Sequence, residues 1–302
     1  MQGRDGKAGS AVVGYGLAIL QAVLYSTLGI FGKLVYATGL NAQQSVILRF
    51  FFATVLLGVF MLIWRRQAFV SRQPSVYLQA VFFYISSIFY FFTVERLTAG
   101  MTTVIFYAYP AVVAVASLFV FKERLSVSTV VAFVLAISGL AMVSGVAAGE
   151  VTLDALGILF GIVSCVAFAA YTILIQKTGR SESPLTVTFT LSWTSLLASC
   201  IVFAPSLPGL LDLDAYQLML GALMALFATI LPIFIYIEAI KRIGGTKSSL
   251  IGISETPFSL IIAFLVLGET LTLGQGIGSC LIVASIAVIT IAPLLAKDEK
   301  PR

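Results

Sequence analysis

Ten long apolar segments divide this chain, at about residues 12–35, 43–64, 76–94, 100–121, 127–147, 155–176, 185–204, 215–240, 247–268 and 273–295. Each is close to the ~20 residues an α-helix needs to cross ~30 Å of hydrocarbon. The links between them are too short to hold a soluble domain. Only 10% of the residues are charged and the mean hydropathy is +1.07, whereas a soluble domain carries about 25% charged residues. The chain therefore reads as a polytopic membrane protein. Some segments contain β-branched runs, but an open sheet edge cannot sit in lipid, so the segments are helices.

An internal repeat organises the ten segments. The phrase YAYPAVVAVASLFVFKERLS (107–126) returns as ISETPFSLIIAFLVLGETLT (253–272), each with a proline, an apolar run and then a glutamate. Glu123 and Glu269 stand 146 positions apart, and the same shift lays Val94-Glu95-Arg96-Leu97 on Ile240-Lys241-Arg242-Ile243. Such self-similarity marks a duplicated unit. It predicts five spans in each half, at 12–149 and 150–295, flanked by short tails at 1–11 and 296–302.

Loop charge sets the orientation. Fifteen of the eighteen Lys and Arg fall on one side of the alternating connections, the side that also holds both ends of the chain. The positive-inside rule then predicts cytoplasmic termini. An odd number of spans per half forces the halves to insert in opposite senses, and equivalent loops accordingly differ in charge: RRQAFVSR (65–72) is basic, its counterpart around LDLD (211–214) acidic. The expected fold class is an all-α integral membrane protein of two inverted five-helix repeats, an architecture of secondary transporters.

Several chemistries are excluded. The chain contains no histidine, which removes Ser-His-Asp and Cys-His nucleophiles, histidine metal sites and histidine proton relays. Cys165, Cys200 and Cys280 lie inside spans without CxxC spacing and read as small apolar residues. No catalytic residue, metal site or cofactor is expected. The net charge of +5 is explained by loop orientation, not by nucleic acid.

Polar residues inside the spans are the candidates for function. Glu255 lies nine residues into the ninth span, ~13 Å deep, beside Pro257. It is read as a substrate anchor or proton site, with satisfaction by Arg49 or by backbone freed at Pro257 as the structural alternative. Arg49 sits ~8 Å inside the outer end of the second span, facing a wet cavity or a carboxylate. Lys33 is ~31 Å along from Val12, either snorkelling at the outer boundary or touching substrate. The third and fourth spans are aromatic: Phe83, Ser87 and Tyr90 share one helical face, as do Thr103, Tyr107 and Pro110. Tyr171 with Thr172, and Ser192 with Trp193, are the corresponding polar positions of the second half. Pro232 is expected to kink the eighth span, and Thr272 with Gln275 to form a capping box. The glycines of GILFG (157–161) and GQGIG (274–278) read as close helix packing. Glu123 and Glu269 precede the last helix of each half, where they are expected to bond free amides.

The LRF of the second span (48–50), the paired proline–glutamate phrases and the LGETLT ending resemble the EamA family of the drug/metabolite transporter superfamily. The likeness covers about residues 12–295, with one departure: Thr256 separates Glu255 from Pro257, where members often have Glu-Pro. The resemblance implies a central cavity between the halves and export or exchange of small metabolites, often amino acids, in the cell's inner or plasma membrane. The aromatic third and fourth spans make the chain similar to aromatic amino acid exporters of the YddG type. A nucleotide-sugar or drug-like solute, or a channel, is the alternative. Expected partners are the small-molecule substrate and the lipid bilayer, with no nucleic acid, in a monomer or homodimer.

Overall fold

The computed structural model describes residues 2–64, 69–145, 154–178, 181–268 and 270–298. The described residues form helices and turns without strands. In chain order the helices are α1 (Gln2–Tyr25), α2 (Leu28–Ala37), α3 (Ala42–Trp64), α4 (Pro74–Val94), α5 (Ala99–Phe106), α6 (Tyr109–Val120), α7 (Val127–Val143), α8 (Ala155–Thr178), α9 (Pro184–Val202), α10 (Ala215–Ala225), α11 (Leu231–Ile243), α12 (Gly245–Gly252), α13 (Glu255–Leu267) and α14 (Leu273–Asp298). Among these residues nine segments are long and apolar enough to cross a membrane, and α7 is a shorter apolar helix of 17 residues.

Sequence signals set the helix starts. Thr98 and Ser126 accept from the amides of Met101 and Thr129, and Asp214 with Gln217 makes a reciprocal box before α10. The box expected at Thr272 is present: its amide donates to Gln275 Oε1 at 2.9 Å, and the Gln275 amide donates back to Thr272 Oγ1 at 3.2 Å. These contacts satisfy amides that a helix start leaves free. Asp154 caps α8; its bond from the Gly157 amide, then Arg96 at 3.1 Å, hold its carboxyl below the usual range.

Three apolar spans are not single helices. The first is interrupted between α1 and α2 at Ser26 and Thr27, whose hydroxyls donate to Val23 and Leu24 carbonyls. Both fourth spans break, at Tyr107–Ala108 and at Ile253–Ser254, positions related by the 146-residue shift. Proline explains the position of both breaks: Pro110 and Pro257 lack an amide and displace the preceding turn. In the eighth span the expected effect of Pro232 takes the form of a π-helical turn, Leu226–Ile230, running directly into α11.

The repeats pack about a pseudo-twofold axis. The last spans meet each other (α7 on α14), as do the fourth (α6 on α12) and the second (α3 on α9); the third span of each half meets the first span of the other, α4 on α8 and α11 on α1. The α7–α14 crossing is antiparallel and depends on glycine. A Cβ on Gly139 would stand 2.5 Å from the Gly278 carbonyl oxygen, and the converse distance is also 2.5 Å. Gly157 receives Leu97 and Arg96 across the α4–α8 contact, while Gly14 receives their counterparts Ile243 and Arg242. The expectation for the glycine segments thus holds at Gly157, Gly161 and Gly278, whereas Gly276 has nothing near it. The backbone repeats as well: Lys122 (φ 54°) and Gly268 (φ 68°), again 146 apart, end the fourth spans in the left-handed region.

The surface fits hydrocarbon. Phe119, Val134, Leu197, Leu265 and Val283 are exposed on the outside of the helices, which would be a liability in water. Cys165 is buried as expected, but Cys200 is half-buried and Cys280 is exposed, because α14 turns one face outward from the crossing.

Candidate functional site

The broken fourth spans bring the chemistry of both halves to one place. Glu255 is the first residue of α13, directly after the second break, and is half-buried. The Tyr107 hydroxyl, at the first break, lies in reach of the Glu255 carboxylate. Tyr25, Tyr90 and Tyr109 stand within electrostatic reach of the same carboxylate. A helix N-terminus beside a carboxylate is favourable for its charge, so the break itself supports Glu255 at this depth.

Arg49 is 6% exposed on α3, with its guanidinium carbon 4.6 Å from the centroid of the Phe50 ring. Its electrostatic neighbours are Tyr25 and Tyr36. The pairing of Arg49 with Glu255 that the sequence offers as an alternative is not formed; Tyr25 lies in reach of both charges instead. Its place at the end of α1, just before the interruption, delivers the Tyr25 ring to the centre.

Aromatic rings wall this centre continuously. Tyr90 meets Phe106 at 5.1 Å, Phe106 meets Phe168 at 5.4 Å, and Phe168 meets Tyr109 at 4.7 Å and Tyr171 at 5.4 Å. Tyr171 continues to Phe83 at 5.2 Å, and Phe83 to Phe50 at 6.2 Å. Tyr236 stacks on Phe168 at 6.2 Å and exchanges a hydrogen bond with Thr172 at 3.1 Å.

Of the residues singled out from sequence, Glu255, Tyr90 and Tyr107 meet at this centre, and Arg49, Phe83 and Tyr171 border it through Tyr25 and the ring chain. Ser87 is half-buried on α4, and Lys33 is exposed on α2. Trp193 sits apart, its ring 6.4 Å from Tyr77 where α4 meets α9. Glu123 does not bond the amides that start α7, a role Ser126 fills; it accepts from Gln176 Nε2 at 2.7 Å, and Gln176 Oε1 accepts from the Gly245 amide at 2.6 Å. That bridge ties the first repeat to α8 and α12 of the second. Glu269 lies outside the described residues. The sequence marks Tyr25 only as a polar residue of the first span, and assigns no role to Phe106, Tyr109, Phe168 or Tyr236. The shift of 146 was the available signal, since it pairs Tyr90 with Tyr236 and Tyr109 with Glu255.

The described residues hold no group of three His, Cys, Asp or Glu able to bind a metal ion. The region holds a carboxylate and a guanidinium, both in electrostatic reach of Tyr25, beside a run of aromatic rings.

Comparison with known proteins agrees with this architecture. An uncharacterized transporter of Archaeoglobus fulgidus is 26% identical over 274 residues, covering 89% of this chain and 93% of that protein. An uncharacterized transporter of Synechocystis sp. is 25% identical over 228 residues, 74% of this chain and 67% of the other. One solved crystal structure shares the fold, with a TM-score of 0.74 at 19% identity over 97% of this chain and 99% of that one. The model of the EamA-like transporter family matches twice, at residues 12–145 and 155–291, one match to each structural repeat. The chain belongs to the EamA-like transporter family.

Proposed function

We propose that this protein is a ten-span secondary transporter of the plasma or inner membrane, with cytoplasmic termini, that exports or exchanges a zwitterionic amino-acid-like solute with a flat apolar side chain. The observation that carries the reading is that one residue, Tyr25, lies in electrostatic reach of both Arg49 and Glu255, charges that do not pair with each other, beside a chain of aromatic rings. A solute with a carboxylate and an ammonium group complements both charges at once, and charge-assisted hydrogen bonds are about twice as strong as neutral ones. The rings of Tyr90, Phe106 and Phe168 offer stacking surface for the side chain.

Dianionic solutes such as nucleotide sugars call for several convergent cations, whereas among the described residues Arg49 is the cation in electrostatic reach of this centre. Pseudo-symmetric halves around one site suit alternating access better than a pore.

Counterflow in liposomes containing the purified protein tests the reading. Preloading with unlabelled phenylalanine or tyrosine should accelerate uptake of the labelled compound, whereas their deaminated or decarboxylated analogues should not. Counterflow driven equally well by the analogues would overturn the zwitterion assignment. Flux without any counterflow would indicate a channel.

A further inference from the structure

The inverted repeat makes pairs of contacts that one conformer treats unequally. The 146-residue shift carries Tyr90 onto Tyr236 and Tyr109 onto Glu255. It is secure in these spans, since it also relates the two helix breaks, the two left-handed residues, and Arg96-Leu97 with Arg242-Ile243. The contact between Tyr236 and Tyr109 is therefore the counterpart of one between Tyr90 and Glu255.

These two contacts differ in state. Tyr236 and Tyr109 are 1% and 4% exposed and pack on the same ring, Phe168, at 6.2 and 4.7 Å; Tyr236 bonds Thr172 at 3.1 Å, and Tyr109 reaches the Ser249 carbonyl at 3.4 Å. That contact is sealed. Tyr90 and Glu255 are half-buried and in electrostatic reach of each other, while the Tyr107 hydroxyl also lies in reach of Glu255. Tyr36, in electrostatic reach of Tyr90, is 44% exposed. This contact is the less enclosed of the two, on the side of the bundle where α2 ends.

Inverted-repeat transporters change access by exchanging the conformations of their two halves around a fixed site. We infer that Tyr90 and Glu255 form the second gate of this protein: in the alternate conformer the Tyr90 hydroxyl donates to the Glu255 carboxylate, while Tyr236 and Tyr109 separate. The inference rests on the transporter reading and adds to it. The substitution of Glu255 for a second tyrosine makes the two gates chemically different. The substrate's ammonium group and the Tyr90 hydroxyl then compete for one carboxylate, so that gate closes on its own partner only as the solute leaves.

Pulsed electron–electron resonance on the full-length protein in lipid nanodiscs tests this without any substrate. With Cys165, Cys200 and Cys280 replaced, one label pair at Arg124 and Ser181 reports the sealed end, and a second at Glu95 and Asp212 the open end; all four positions are exposed. Tyr236→Phe should create or enlarge a population that is longer at the first pair and shorter at the second. Adding Tyr90→Phe to Tyr236→Phe should reduce that population about two- to tenfold, the range of one net hydrogen bond. Tyr109→Phe should act in the same direction as Tyr236→Phe, which provides a second entry if one variant folds poorly. A Tyr90→Phe change that leaves the ratio unaltered, or increases the alternate population further, overturns the inference. So does a failure of both Tyr236→Phe and Tyr109→Phe to shift it. The readout is a distance, so loss of the substrate assignment would leave this result standing, and the reverse also holds.

Discussion

Tyr107 and Glu255 stand 148 positions apart in sequence, one at the break of each fourth span, and the hydroxyl of the first meets the carboxylate of the second. Each repeat thus supplies one partner to a contact at the centre of the bundle. The breaks matter because they end two helices inside the protein, where the side chains at the new termini face one another.

Glu255→Gln removes the charge while keeping the shape. Binding of solutes that carry an ammonium group should weaken by ~2–5 kcal/mol, measured by calorimetry on purified protein, with deaminated analogues unaffected. Equal affinities for both classes before and after the change would remove Glu255 from recognition. Loss of pH-driven flux with normal affinity would instead mark it as a proton site.

Tyr90→Ala deletes a ring that lies 5.1 Å from Phe106. Transport of bulky aromatic solutes should suffer more than that of alanine-sized ones, by about 0.5–1.5 kcal/mol beyond lost area. A uniform loss across solutes of all sizes points to a folding defect.

Gly139→Ala places a methyl group 2.5 Å from the backbone oxygen of Gly278. Backbone cannot yield as a flexible side chain does, so the α7–α14 crossing must open, at a cost of ~1–3 kcal/mol. Thermal unfolding in detergent should show a lowered midpoint. Gly276→Ala, with nothing within 4 Å, is the control and should stay within about 0.5 kcal/mol of the parent.

Lys122 adopts φ 54° where its counterpart is Gly268 at φ 68°. A side chain in the left-handed region clashes with its own backbone. Lys122→Gly should therefore raise stability by about 0.5–1 kcal/mol, visible as a higher unfolding midpoint. A lowered midpoint would mean the lysine makes contacts that outweigh the backbone strain.

Cysteines at Ser181 and Asp212, both exposed, should label from opposite sides of the membrane. An impermeant thiol reagent should reach Asp212→Cys in intact cells and Ser181→Cys only after lysis. Ser71, which loop charge alone would recommend, is 3% exposed and bonded to Glu182, so it is a poor reporter. Labelling of Ser181→Cys from outside would reverse the topology.

Much of this protein is legible in its residues because the bilayer leaves the chain few choices. Apolar runs such as 155–176 must become helices, since unpaired backbone in hydrocarbon has no water to bond. The duplicated phrase around Pro110 and Pro257 marks two related halves, and the EamA-like family model matches twice, at 12–145 and 155–291. Glu255 stands out in the sequence as well, since a carboxylate inside a span must find a partner. Its partners do not. Arg49 is a natural counter-ion on charge alone, yet Glu255 lies in reach of Tyr107 and does not pair with Arg49, while Tyr25 is in electrostatic reach of both. Glu123 likewise reads as a cap from its place before α7, but the left-handed turn at Lys122 leads the chain to a contact with Gln176, a residue of the other repeat. Periodicity reports which face of a helix a residue occupies; it says nothing of what the opposing helix presents there. That was decided by where the helices break and by how closely glycines such as Gly14, Gly139 and Gly157 let them approach.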